Sequence, residues 1–122
     1  MVSDPTFLAA RPNLEVTNLD ASIAFYETAL GLPLRFRADE FDLAVLGVEG
    51  GCELALLQRD APHAASCYLL VTAVDALHAR CLEARALIAT PLETHPWGTR
   101  DFVVADPDGN QLAIGERLAP AP

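Results

Sequence analysis

The sequence contains no lysine: its eight positive side chains are all arginine, set against seventeen Asp and Glu, for a net charge of −9. A surface this acidic repels phosphate backbones, which excludes nucleic acid as a partner and favours cationic small molecules. Long apolar runs are missing too. The longest covers residues 67–71, far short of the roughly 20 residues that cross a bilayer as a helix, so no membrane association is expected. The first ten residues hold no basic side chain and too short an apolar stretch for a signal peptide, which points to the cytoplasm.

Cysteine is scarce and unpaired in pattern. Cys52, Cys67 and Cys81 are odd in number and show no C-x-x-C spacing, so neither a disulfide framework nor a zinc site is expected; they read as small buried hydrophobes. No G-x-S-x-G, P-loop or H-E-x-x-H pattern occurs, and His63, His78 and His95 lack metal-ligand spacing. No catalytic residue, metal ligand or cofactor is assigned.

What is present is a strongly apolar chain, 52% hydrophobic over 122 residues, enough for one packed domain spanning 1–122. A chain of this size buries roughly two-thirds of its unfolded surface. It also carries an internal repeat. Leu14-Glu15-Val16-Thr17-Asn18-Leu19-Asp20-Ala21 matches Leu69-Leu70-Val71-Thr72-Ala73-Val74-Asp75-Ala76 at five of eight positions, an offset of 55. Gly51-Cys52-Glu53-Leu54-Ala55-Leu56 then matches Gly109-Asn110-Gln111-Leu112-Ala113-Ile114 at an offset of 58. Two modules, about 11–59 and 66–117, share one beginning and one end, as duplication produces.

Each module reads as β-α-β-β-β. Residues 11–16 and 66–71 are strand-like, and Thr17/Asp20 and Thr72/Asp75 resemble capping boxes at two helix starts. The first helix places Leu19, Ile23, Tyr26 and Leu30 on one face and stops at Gly31. The second places Val74, Leu77, Cys81 and Leu82 inward and ends near Arg85 or Ala86. Further strands are expected at 34–38, 42–48 and 52–58, then at 87–90, 100–105 and 111–116. Asp106-Pro107-Asp108-Gly109-Asn110 is a turn, and Gly50-Gly51 another.

Asn18-Leu19-Asp20-Ala21-Ser22-Ile23-Ala24-Phe25-Tyr26 with Leu30-Gly31-Leu32, and Pro96-Trp97-Gly98-Thr99-Arg100-Asp101-Phe102 with Asp106-Pro107-Asp108-Gly109-Asn110, are similar to the two signatures of the vicinal-oxygen-chelate superfamily. This is the glyoxalase, bleomycin-resistance and dioxygenase group, and the chain most resembles its bleomycin-resistance-type members. The resemblance implies an α+β fold of two tandem βαβββ modules around a curved mixed-sheet cleft, and a homodimer. It also implies where enzymes of the group hold a divalent ion. Those positions fall on Arg11, Ser66, Ala55 and Ala113, none of which is the His or Glu such a site uses.

The expected function is therefore metal-independent sequestration of a planar or cationic, antibiotic-like ligand in a cleft between two subunits. Alternatives are a glyoxalase-like lyase, a dioxygenase, an isomerase using Glu53 or Glu15 as base, or an interaction module. Strand alternation places Arg11, Asn13 and Glu15 on one face, with Ser66, Tyr68 and Leu70 as their repeats. Glu53 shares a face with Ala55 and Gln111 with Ala113, the small alanines leaving room for a ligand. Arg11 in such a cleft needs an anion, which Glu53 or Glu15 supplies. Trp97, the sole Trp, is a stacking platform or else a core cap or dimer contact. The candidate ligand-binding set is Trp97, Glu53, Phe36, Tyr68, Phe102, Arg11 and Gln111; Phe36, Phe41 and Phe102 are read as half core and half cleft wall.

Overall fold

The computed structural model describes residues 4–119; residues 1–3 and 120–122, part of the expected domain, lie outside the described residues. The first module runs β1 (Asn13–Val16), α1 (Leu19–Leu30), β2 (Leu34–Ala38), a single 3-10 turn (Asp39–Phe41), β3 (Leu43–Gly47) and β4 (Glu53–Gln58). The second runs β5 (Ser66–Leu70), α2 (Val74–Glu83), β6 (Leu87–Thr94), β7 (Thr99–Ala105) and β8 (Gln111–Arg117). The α+β order read from the repeat is the order of the fold. The strands form two four-stranded mixed sheets, ordered β1-β4-β3-β2 and β5-β8-β7-β6. In each, the first strand of the module lies parallel to its last, and the other pairs are antiparallel.

One strand exceeds its expected length. β6 continues to Thr94 through Pro91, where a reading of residue types stops it. It is an edge strand, and its register slips against β7 on both sides of Thr90. An edge position with a bulge tolerates the missing N–H of proline.

Alternation and helical periodicity meet in one core. Leu14 and Val16 of β1, Leu54 and Leu56 of β4, Phe102 and Val104 of β7, and Leu112 and Ile114 of β8 face the helices. From α1 come Leu19, Ile23, Tyr26 and Leu30, the stripe expected of it. Gly31 ends that helix at φ 69°, and its N–H is donated to the Glu27 carbonyl. In α2 only Val74 and Cys81 are fully inward, with Leu77 packed against them. Leu82, expected inside, is 54% exposed, because one residue past Cys81 turns it about 100° round the helix. The helix ends at Glu83, slightly short of the expected end.

The helix caps also differ from the capping boxes read in the sequence. Asn18, not Thr17, caps α1, its side chain accepting from the Ala21 N–H at 3.0 Å. The Leu19 N–H is donated to Gln58 at 2.9 Å, and in α2 the Val74 N–H is donated to Glu116 at 2.9 Å. Gln58 and Glu116 are repeat equivalents at the end of each module. The last strand of each module thus supplies an acceptor to its own helix start, replacing the local cap in α2.

The turn Asp106-Pro107-Asp108-Gly109-Asn110 fastens the two modules. Asp106 is buried and accepts from the Tyr26 hydroxyl at 2.7 Å, the Asn110 side chain at 2.9 Å, and the N–H groups of Asp108 and Asn110. Asn110, also buried, donates to the Glu15 carbonyl at 2.9 Å and accepts from the Ala65 N–H at 2.8 Å. Thr17 donates both its N–H and its hydroxyl to Asp108. Buried polar groups cost little only when paired, and here the pairing spans both halves of the chain. Among the described residues, no helix is long and apolar enough to cross a membrane.

Candidate functional site

The sheet faces turned away from the helices carry the chemistry. On the second sheet, Tyr68 of β5 lies across Gly115 of β8, and a Cβ at Gly115 would meet the Tyr68 hydroxyl at 1.8 Å. Only glycine leaves this path free. Tyr68 thereby reaches β7 and donates to Asp101 Oδ2 at 2.9 Å. The Thr99 hydroxyl donates to the same oxygen at 3.3 Å, and His95 Nε2 stands 2.7 Å from Asp101 Oδ1. Burial pushes the Asp101 carboxyl up, but the hydrogen bonds from Tyr68 and His95 outweigh it and leave it below its usual range. An ionised carboxylate only accepts, so His95 Nε2 carries the proton in this bond. Burial first, then the bond to Asp101, raises the Tyr68 phenol.

His95 in turn backs Trp97. The two rings are stacked at 4.3 Å between centroids and 5° between planes. Trp97 is 71% exposed, so one face lies on His95 and the other is open. It does not cap the core. The Pro96-Trp97-Gly98 turn of the β6–β7 hairpin presents it, and Asp101 holds it through His95.

Beside this cluster, a cavity of about 420 Å³ opens where the starts of β1 and β4 meet β5, lined by Arg11, Pro12, Cys52, Glu53, Cys67 and Tyr68 among others. Tyr68 is the wall common to cavity and cluster. The structure therefore brings together Arg11, Glu53 and Tyr68, and links them to Trp97 through Asp101 and His95. It does not bring in the rest. Phe102 is buried in the core with His78 edge-on against it at 4.9 Å, so it is not a cleft wall. Phe36 and Phe41 are exposed rather than half core; Phe36 lies opposite Val45 on the first sheet. Gln111 is exposed opposite Ser66 and Ala105, four residues from Gly115 and so about 13 Å along β8.

Two carboxylates read as free are engaged. Glu53 forms a salt bridge with Arg35, which also pairs with Glu49 at 3.2 Å. Glu15 accepts from the His63 backbone N–H at 2.8 Å, and that bond, ahead of the His63 ring, holds its carboxyl below the usual range. Nor does Ala55 leave room: flanked by Asn13 and Val45, it is fully buried. Ala113 is partly open.

Sequence reasoning passed over Asp101, His95 and Arg35. Asp101 had a signal: it is the one carboxylate in the Thr99–Ala105 strand, on the face alternate to Phe102. His95 had none in spacing alone, because its bond to Asp101 depends on the hairpin pairing His95 with Thr99.

Residues 9–114 match the sequence profile of the Glyoxalase/Bleomycin resistance protein/Dioxygenase superfamily. The chain belongs to this superfamily. Its fold agrees with TioX from Micromonospora sp. ML1, at a TM-score of 0.79 and 23% identity over 88% of this chain and 97% of that one. It agrees equally with the bleomycin resistance determinant encoded on transposon Tn5, at a TM-score of 0.77 and 24% identity over 89% and 97%. At these identities the likeness is one of fold. An uncharacterized Mycobacterium bovis protein, Mb0911c, is 47% identical over 49 residues, which is 40% of this chain and 32% of that protein. The chain thus matches about a third of that relative's length.

The superfamily's divalent ion does not fit this chain. Its positions carry a guanidinium (Arg11), a hydroxyl (Ser66), a buried methyl (Ala55) and a second methyl (Ala113). Two methyl groups offer no lone pair, and a guanidinium has no acceptor atom.

Proposed function

We propose that this protein binds a small molecule without a metal, sequestering a planar, cationic, antibiotic-like ligand in the cytoplasm. The observation that carries this is the open face of Trp97, backed by His95 and steadied by the Asp101 carboxylate. A planar cation stacked there gains around 0.5–1.5 kcal/mol beyond area burial, and cation–π attraction adds to it. The net charge of −9 raises the local concentration of cations. The fold shared with the Tn5 bleomycin resistance determinant supports a ligand of this kind.

A homodimer completes the cleft. Phe36, Tyr68, Leu70 and Leu87 are exposed apolar side chains, which a two-fold related copy would cover. The free thiols suit a reducing compartment. One observation favours a second reading, metal-free acid–base catalysis. Glu53 and Glu15 are occupied, but a histidine oriented by a carboxylate is the arrangement a general base uses, and His95 Nδ1 would serve.

Trp97 is the sole Trp, so its emission reports one site. Titration with the planar cation proflavine should quench it saturably, and more weakly as salt rises. Salt-independent quenching would remove the charge from the reading. Absence of any saturable response would overturn it.

A further inference from the structure

Arg11 enters β1 from the exposed side and lines the cavity between β1, β4 and β5. The two carboxylates that could have neutralised it are committed elsewhere, Glu53 to Arg35 and Glu15 to His63. The hydroxyl of Tyr68, which also lines the cavity, is donated to Asp101. Among the described residues Arg11 forms no salt bridge, a state it shares with Arg59, Arg80, Arg85 and Arg117; of these five, Arg11 alone lines this cavity. Besides Arg11, Glu53 and Tyr68, the cavity is lined by Ala10, Pro12, Cys52, Cys67 and Leu69, all apolar or weakly polar.

We propose that Arg11 recognises the carboxylate of a planar ligand whose apolar body fills this cavity. A guanidinium stays charged at any working pH, and its planar fork matches a carboxylate through two parallel N–H···O bonds. An apolar body seated against Pro12 and Leu69 expels water beside that fork, which strengthens the pair. The net charge of −9 opposes an anion at long range. A preference for an acid over its neutral analogue must therefore come from a local cation. Arg11 is the cation in the cavity. The proposal rests on the protein being a small-molecule binder and adds a carboxylate to its ligand, separate from the cationic group read over Trp97; it does not require Trp97 to be the platform.

The probes are 2-naphthoate and its neutral isostere 2-naphthamide, measured by calorimetry on the full chain. The wild type should bind naphthoate at least about tenfold more tightly than naphthamide. Arg11→Gln should bind the two alike, with its melting curve unchanged. Arg85→Gln, the same charge change beyond α2, should keep the preference. Arg11→Lys, which retains the charge and loses the fork, should keep only part of it. The proposal is overturned by a wild type without acid preference, by an Arg11→Gln protein that retains it, or by an Arg85→Gln protein that loses it equally. Proflavine separates this failure from failure of the broader reading. If proflavine still quenches Trp97 saturably while naphthoate shows no preference, only the Arg11 inference falls. If no probe binds, the binding function falls with it.

Discussion

Tyr26 and Asp106 stand 80 positions apart in the chain and 2.7 Å apart in the fold. The phenol belongs to α1 and the carboxylate to the turn before β8, so this hydrogen bond is one of those that join the two halves of the duplication. Both residues are buried, and Asn110 completes the junction from the same turn.

Removing the phenol hydroxyl should therefore act on global stability. Tyr26→Phe leaves Asp106 short of one donor, at a cost of about 1–3 kcal/mol. Burial first, and then the Asp106 charge, raise the Tyr26 pKa well above its ordinary value. A folded pKa above the unfolded one gives stability that is complete below about pH 10 and lost as pH rises, since only the unfolded chain releases the proton. The loss is at most about 1.4 kcal/mol per pH unit for one group. Burial also pushes Cys81 up to about 11, which adds an alkaline loss to both proteins. Urea unfolding at neutral and alkaline pH should show the variant less stable at neutral pH and less steeply destabilised by alkali. Equal alkaline slopes would contradict the assignment.

Asp101 should govern Trp97 from a distance. Its hydrogen bonds outweigh burial and keep its folded pKa low, so its contribution is complete above the ordinary value of about 3.9 and is lost as pH falls through the lower folded one. Asp101→Asn weakens the hold on His95. The near-ultraviolet dichroism of Trp97 should change, and proflavine binding should weaken by about 1–2 kcal/mol. Trp97→Ala should cost roughly 1–3 kcal/mol of binding and little stability, because the ring is mostly exposed. A Trp97→Ala protein that unfolds, or loses the proposed dimer with binding intact, would make the residue structural.

Gly115 tests the path of Tyr68. In Gly115→Ala the new methyl overlaps the Tyr68 hydroxyl and ring, and the ring must swing off Asp101. A destabilisation of about 1 kcal/mol is expected, of the size of one lost hydrogen bond. In a Tyr68→Ala background the same substitution should be nearly neutral. A double-mutant cycle by thermal melting reads the coupling directly, and a coupling of zero would place Tyr68 elsewhere.

Arg11, Ser66, Ala55 and Ala113 make a further prediction about the purified protein. Elemental analysis should find no stoichiometric divalent ion. About one Ni, Zn, Mn or Fe per chain, removable with loss of an activity, would favour the lyase or dioxygenase alternative.

Much of the fold was legible because it rests on local pattern. The Leu34–Ala38 strand follows from alternation and flanking turns, and the α1 stripe from a period of 3.6. The caps were not. Asn18 caps α1 from within three residues, beside the Thr17 read in its place, but Leu19 takes its acceptor from Gln58, 39 positions on, and Val74 from Glu116, 42 positions on, beyond any local search. Phe102 was misread for a related reason: its type suits wall and core equally, and only the placement of α2, with His78 against the ring, decides.

By itself the sequence determined the duplication, the βαβββ order, the superfamily signatures and the residues at the superfamily's metal positions, because each of these is written in neighbouring residues or fixed offsets. The tertiary structure decided which polar groups remain free. Glu53 and Glu15 read as available until Arg35 and His63 reached them, and Asp101 read as an ordinary strand residue until Tyr68 and His95 closed on it. Hydrogen-bond partners are chosen by distance in space, and side chains on different strands have no spacing in the chain that foretells it.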